Sequence, residues 1–232
     1  MLRTITLLAT LAVAAACTTQ KANQRTAGEF TDEEYEKDYE LKSQGLERVL
    51  GKPDSIVGHA IIPFEIGGTV DMYYYPNGIK GTGFATMELI QPDGSGPVPN
   101  RNGTYELVAF TKLKYATDTT HTNPFNLIER RMCGIFTTIG SYSLETKLEP
   151  GETMEIPGGD GESETCIVFD EYRPDNKDFL IGDRKHGLLL VIEVFRDEME
   201  YAMENGSAQL LTRLKEKGHY PYSDLDRESV LK

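Results

Sequence analysis

Carboxylates are the side chains with which this sequence could most readily do chemistry, because two of them a few ångströms apart can share acid, base or nucleophile work on a glycosidic bond. Asp170 and Glu171 stand together before Tyr172, and Asp224, Asp226 and Glu228 recur near the C-terminus. Neighbours in a strand point to opposite faces, so Asp170 and Glu171 do not readily share one substrate. The four histidines, His59, His121, His186 and His219, are scattered singly, without an HExxH or CxxC pattern, so no metal site is expected. Neither GSG at Gly94 to Gly96 nor GSY at Gly140 to Tyr142 has the GxSxG form of a nucleophile elbow. The run from Gly81 to Thr86 lacks the third glycine of a dinucleotide loop and enters a strand. The reading is therefore of a chain without catalytic residues or cofactor. Asp170, Glu171, Tyr172, Asp224 and Asp226 are instead candidates for contact with a protein partner, and a hydrolase built on those carboxylates is the rival. Tyr73-Tyr74-Tyr75 could form a recognition patch, but such a run more often alternates between core and surface.

Cys17 is the remaining reactive residue with a strong context. One early charge, Arg3, precedes an apolar run from Ile5 to Val13, and Ala14-Ala15-Ala16 leads into the cysteine. These are the three regions of a secretory signal. The apolar run falls short of the about 20 residues a membrane span needs. Residues 1–16 are read as a cleaved signal peptide, and the small residues before Cys17 resemble a bacterial lipobox, whose thiol takes a diacylglyceryl group. Each buried methylene of palmitate-type chains adds about 0.8 kcal/mol of membrane affinity, so two or three chains anchor stably. Residues 17–28 are polar and small, the composition of a flexible tether. Thr18 after the cysteine resembles outer-membrane rather than inner-membrane lipoproteins, should the host have two membranes. The expectation is a lipid-anchored protein of the bacterial envelope.

Residues 29–232 are read as one domain, long enough to bury a substantial core and free of repeats or internal linkers. Loss of residues 1–16 removes only Arg3 from the 24 basic residues set against 37 acidic ones, leaving a formal charge of −14. Nucleic acid and anionic headgroups should be repelled, and a basic partner attracted. Cys133 and Cys166, both in apolar stretches, are read as buried free thiols.

The elements that must position these residues follow from spacing. Thr31 to Glu34 forms a capping box that opens a helix closed at Gly51-Lys52-Pro53. From residue 55 to 114 the runs HAIIPFEI, TVDMYYYP, GFATMELI and TYELVAFTK, separated by turn residues, predict an antiparallel meander. Asp71, Glu88 and Glu106 alternate with apolar residues there, which predicts one wet face. Asn123-Pro124 opens a second helix carrying Phe125, Ile128, Met132, Ile135 and Ile139. ETCIVFDEY and DFLIGDRKHGLLLVIEVF supply further strands, the last apolar enough to be covered on both faces. A helix from Asp197 breaks at Asn205-Gly206, and Ser207 can cap another bearing Leu210, Leu211 and Leu214. The tail from His219 to Lys232 is polar and predicted to lie across the surface. The fold class is α+β, a mixed and largely antiparallel sheet flanked by helices.

The capped helix running into VLGKPD, the strands ATMELI and YELVAFT, LEPGETMEIP, and above all HGLLLVIEVFRDEMEYAMENGSAQLLTRL resemble the suppressor-of-fused domain family over nearly all of residues 31–228. That resemblance implies an α/β sandwich that binds another protein and does no chemistry. Animal members hold transcription factors, and bacterial members are regarded as immunity proteins against toxins. Export and lipidation would place the partner in the envelope, as a toxin delivered there. A structural lipoprotein without a dedicated partner is the third reading.

Overall fold

The computed structural model describes residues 30–117, 120, 122–159 and 163–232. Cys17 and His121, and the readings placed on residues 1–29, lie outside them. Four helices, α1 (Asp32–Leu50), α2 (Pro124–Ser143), α3 (Arg196–Asn205) and α4 (Ser207–Glu216), enclose eight strands: β1 (Val57–Gly58), β2 (Met72–Tyr75), β3 (Thr82–Ala85), β4 (Tyr105–Thr111), β5 (Thr153–Ile156), β6 (Thr165–Glu171), β7 (Phe179–Ile181) and β8 (Arg184–Val194). The sheet order is β1-β2-β3-β4-β8-β6-β5, with β7 paired to the start of β8. All pairings are antiparallel except β4 with β8.

Strand periodicity divides the core in two. Leu188, Leu190, Ile192 and Val194 of β8 pack with Leu46, Met199, Leu210 and Leu214 from α1, α3 and α4. Leu189 and Val191 face the other way, against Phe125, Met132, Phe136 and Ile139 of α2. The result is a helix–sheet–helix sandwich, as the sequence implies. The Thr31 capping box and the Asn123-Pro124 start both form, each with its side-chain bond. Among the described residues no helix is long and apolar enough to cross a membrane.

Several expectations are corrected. HAIIPFEI is not a strand: after Gly58 the chain leaves the sheet, Pro63 offers no N–H to a ladder, and Asp71 binds the Ala60 N–H and the His59 ring instead. GFATMELI leaves its strand after Ala85 because the N–H groups of Leu89 and Ile90 turn in to donate to Glu106. Glu106 does not line a wet face. It is fully buried, since β4 lies mid-sheet with helices over both faces. Tyr74 and Tyr75 are both buried, on opposite faces, because both faces are core, so YYY forms no surface patch. Gly206, not Ser207, occupies the cap of α4, and no side chain bonds there. Cys166 is buried and Cys133 half-buried, both free, on opposite faces of the sheet.

The tail departs furthest from expectation. Strands β4 and β8 pair only from Tyr105 to Val108 and then diverge. Tyr222 and Ser223 fill the gap: Tyr222 bridges to Phe110, the Ser223 N–H donates to the Phe110 carbonyl, and the Ser223 hydroxyl donates to Val191 O and accepts from Glu193 N. Ser223 is 1% exposed and Val230 4%. Arg227 then pairs through two nitrogens with the buried Glu198 carboxylate of α3.

Candidate functional site

Where β4 and β8 part, a groove of about 1030 Å³ opens between α2 and the tail, with the end of β5 along its rim. Helix α2 buries Phe125, Met132, Ile135 and Ile139. The residues it turns to the groove, Leu127, Arg131, Gly134 and Thr138, recur at spacings of four, three and four, a second stripe beside the buried one. Leu127 is 53% exposed, and Leu113 on the facing segment is 36% exposed.

The charges around this stripe are mostly engaged within the fold. Glu193 lies at the base with its side chain 2% exposed, and Arg131 reaches over it, donating from Nε at 2.8 Å and from a terminal nitrogen. Burial pushes the Glu193 carboxyl up in pKa, and the Arg131 guanidinium opposes that shift. Asp224 accepts the Lys112 N–H at 2.7 Å and the Thr111 hydroxyl, tying the tail to the end of β4. Arg227 turns inward to Glu198. Lys112 sits 3.1 Å from the His219 ring and lowers the pKa of that imidazole, after burial. Asp226 is exposed. What remains is an open channel with the exposed leucines Leu127 and Leu113 and fixed ions along its walls, a surface suited to a side-chain-bearing segment of another protein.

The candidate residues read from sequence are split. Asp224 and Asp226 line the groove. Asp170 lies across the sheet, where the Tyr220 hydroxyl donates to it at 3.0 Å. Tyr172 packs on Phe110 with ring centroids 4.6 Å apart, and burial pushes its hydroxyl up to about 12. The strand period puts Glu171 on the α2 face, opposite Asp170. Asp170, Glu171 and Tyr172 therefore do not form one surface with the tail aspartates. Sequence reading missed Leu127, Leu113, Arg131 and Glu193. Two signals were present: Leu127 falls outside the buried stripe of its helix, and Glu193 is an acid within the apolar run LLLVIEV.

The groove lies within the part of the chain that carries family likeness. The model of the Suppressor of fused protein (SUFU) family matches residues 83–228, well over half of the chain. The chain belongs to the suppressor of fused family. Among solved structures, a chain of "the Sufu-Fu complex crystal structure" is similar over 81% of this chain and 90% of its own, with a TM-score of 0.53 and 17% identity. That likeness is one of fold, and it agrees with the sandwich described above. No curated protein matches the chain in sequence. In this suppressor of fused domain the matched region runs from β3 through the tail, so it includes both groove walls but not α1.

Proposed function

We propose that this suppressor of fused domain is a non-catalytic binding module, lipid-anchored through Cys17 in the bacterial envelope, and that it serves there as an immunity protein against a toxin delivered to that compartment. The observation that carries the binding reading is the half-exposed Leu127 stripe, held in an open groove by charges that are already paired. Family membership supports it, and the related structure is itself titled as a complex of Sufu with Fu. The lipobox supports the envelope location.

The non-catalytic reading draws support from the carboxylates. Asp170 and Glu171 face opposite sides of the sheet, Glu193 is bound by Arg131, and Asp224 is bound by Thr111 and Lys112. An acid–base pair on one substrate needs two carboxyl groups facing each other across open space.

The acids that would steer a basic partner lie on one face of the sheet. The exposed acids Asp32, Glu33, Glu36, Glu40 and Glu47 lie on α1 and Asp197, Glu200 and Glu204 on α3, helices of the same face. The groove is mixed in sign. A basic partner is thus drawn by the α1–α3 face and held in the groove, since long-range charge sets encounter rate more than affinity.

The test is crosslinking in the native host with the tagged lipoprotein, then mass spectrometry of what co-purifies, with Cys17→Ala to remove the anchor and Leu127→Asp to spoil the groove. One dominant basic partner, encoded nearby and lost with Leu127→Asp, is the expected result. Recovery of abundant envelope proteins alone, or a partner indifferent to Leu127→Asp, would overturn the reading.

A further inference from the structure

The segment between β1 and β2, packed through Phe64 against the C-terminal part of α2, holds three isoleucines out of the core. Ile61 is 100% exposed, Ile62 55% and Ile66 71%. Three large apolar side chains left exposed within six residues mark a contact surface in proteins that are otherwise well packed.

The segment is not slack. Asp71 holds its start, through the Ala60 N–H and the His59 ring, each at 2.8 Å. A turn of 3-10 helix, Phe64–Ile66, follows, closed by N–H groups of Gly67 and Gly68 on Phe64 and Pro63 carbonyls. The Phe64 ring is buried against Gly140 of α2, where a Cβ would come within 3.1 Å of it. One aromatic ring is thus drawn into the core while its aliphatic neighbours are presented outward.

This segment lies at the entry of the chain into the domain. Phe30, the first described residue, stacks edge-on against Tyr35 at 5.7 Å, and Tyr39, one turn on, meets Tyr73 of β2 at 6.1 Å, two residues from Asp71. The Glu65 carboxylate is near enough to Tyr35 to raise the pKa of its hydroxyl, second to burial. If Cys17 carries the lipid, the 12 residues Thr18 to Glu29 are all that separate it from Phe30, and a polar linker of that size spans roughly 20 Å.

We infer that the Ile61–Ile66 loop is a membrane-contact element that seats its isoleucines in the interfacial layer of the bilayer to which the tether leads. The inference rests on the proposed lipidation of Cys17. Seated there, the domain stands on its β1–β2 end and turns the start of α2, with Leu127, away from the lipid. Leu127 and Gly140 are 13 residues apart on one helix, about 20 Å. The preferred surface is zwitterionic, because Glu65 and the acidic first turn of α1 repel anionic headgroups.

The sequence contains no tryptophan, so one introduced residue reports its own environment. The full-length chain with Ile61→Trp, and separately with Leu127→Trp, is expressed with its lipid and reconstituted into vesicles of zwitterionic lipid with and without brominated acyl chains. The expected result is blue-shifted emission quenched by bromine for the Ile61→Trp chain, unshifted and unquenched emission for Leu127→Trp, and a smaller blue shift when anionic lipid is added. A chain that floats with the vesicles while its Ile61→Trp emission stays red and unquenched overturns the loop inference and leaves lipidation standing. If the chain fails to float at all, and behaves as its Cys17→Ala form does, lipidation falls and the loop inference with it.

Discussion

Lys42 of α1 lies 3.9 Å from the Glu106 carboxylate in the middle of the sheet, and their side chains are 4% and 0% exposed. The ammonium also meets Asp38 at 2.7 Å and donates to the carbonyls of Met87 and Ile90. Glu106 in turn takes the N–H groups of Ile90 and Leu89 and the Thr86 hydroxyl. Burial raises the Glu106 pKa and Lys42 opposes that rise. Removing one partner of a buried pair strands the other charge. Lys42→Met should cost about 3–5 kcal/mol of unfolding free energy. In urea titrations, Lys42→Met with Glu106→Gln should lose clearly less than the sum of the two single changes. Additive losses would show that the two residues are not coupled.

Glu88 gives the domain a pH dependence of known sign. Burial lifts its carboxyl to about 7, although the Asp71 N–H donates to it at 2.6 Å and lowers it in part. The folded-state value lies above the unfolded one, so the native state holds the proton more tightly. Stability from this group is full below about pH 4.5 and is lost as pH rises through about 7, by about 1–3 kcal/mol. Glu88→Gln keeps an acceptor for Asp71 and should flatten that part of the stability–pH curve. An unchanged slope between pH 4.5 and 7 would refute the assignment.

Asp224 should behave as a structural residue. Its two oxygens satisfy the Thr111 hydroxyl and the Lys112 N–H, so Asp224→Ala should lower stability by about 1–3 kcal/mol. Asp226, exposed, should tolerate alanine within about 0.5 kcal/mol. Thermal melts of the two variants separate these outcomes. In an assay for glycan hydrolysis, a loss of orders of magnitude at either position would favour the hydrolase.

The α1 face should control encounter. Glu33→Gln, Glu36→Gln and Glu40→Gln together should slow association with a basic partner several-fold at low salt and leave dissociation nearly unchanged, with the difference fading as ionic strength rises. Surface plasmon resonance at two salt concentrations reads both rates. A change confined to dissociation would place the acids in the interface itself.

Regular elements were legible where one force decides them. The Thr31 box, the Asn123-Pro124 start and the Leu188–Val194 run are local or periodic signals, and all appear in the fold. The misreadings share a cause. HAIIPFEI has strand composition, but Asp71 and Pro63 remove it from the ladder, and the isoleucines have no core to enter. Glu106 reads as a surface acid because its partner, Lys42, is 64 residues away in sequence. The groove was half visible: Asp224 and Asp226 were found, whereas Leu127 and Glu193 become meaningful only when α2 is laid beside β8. The tail read as surface because small polar residues such as Ser223 bond to backbone atoms, which no periodicity reports.

That tail also sets the order in which the molecule can be completed. Residues 222–230 close the gap between β4 and β8 and neutralise Glu198, yet they follow every helix and strand of the described residues in chain order. Until they emerge, the central strands have an unfilled seam and α3 carries an uncompensated buried acid. The domain cannot lock until this segment has been made. A truncation that removes residues 222–230 would act on the keystone of the sheet.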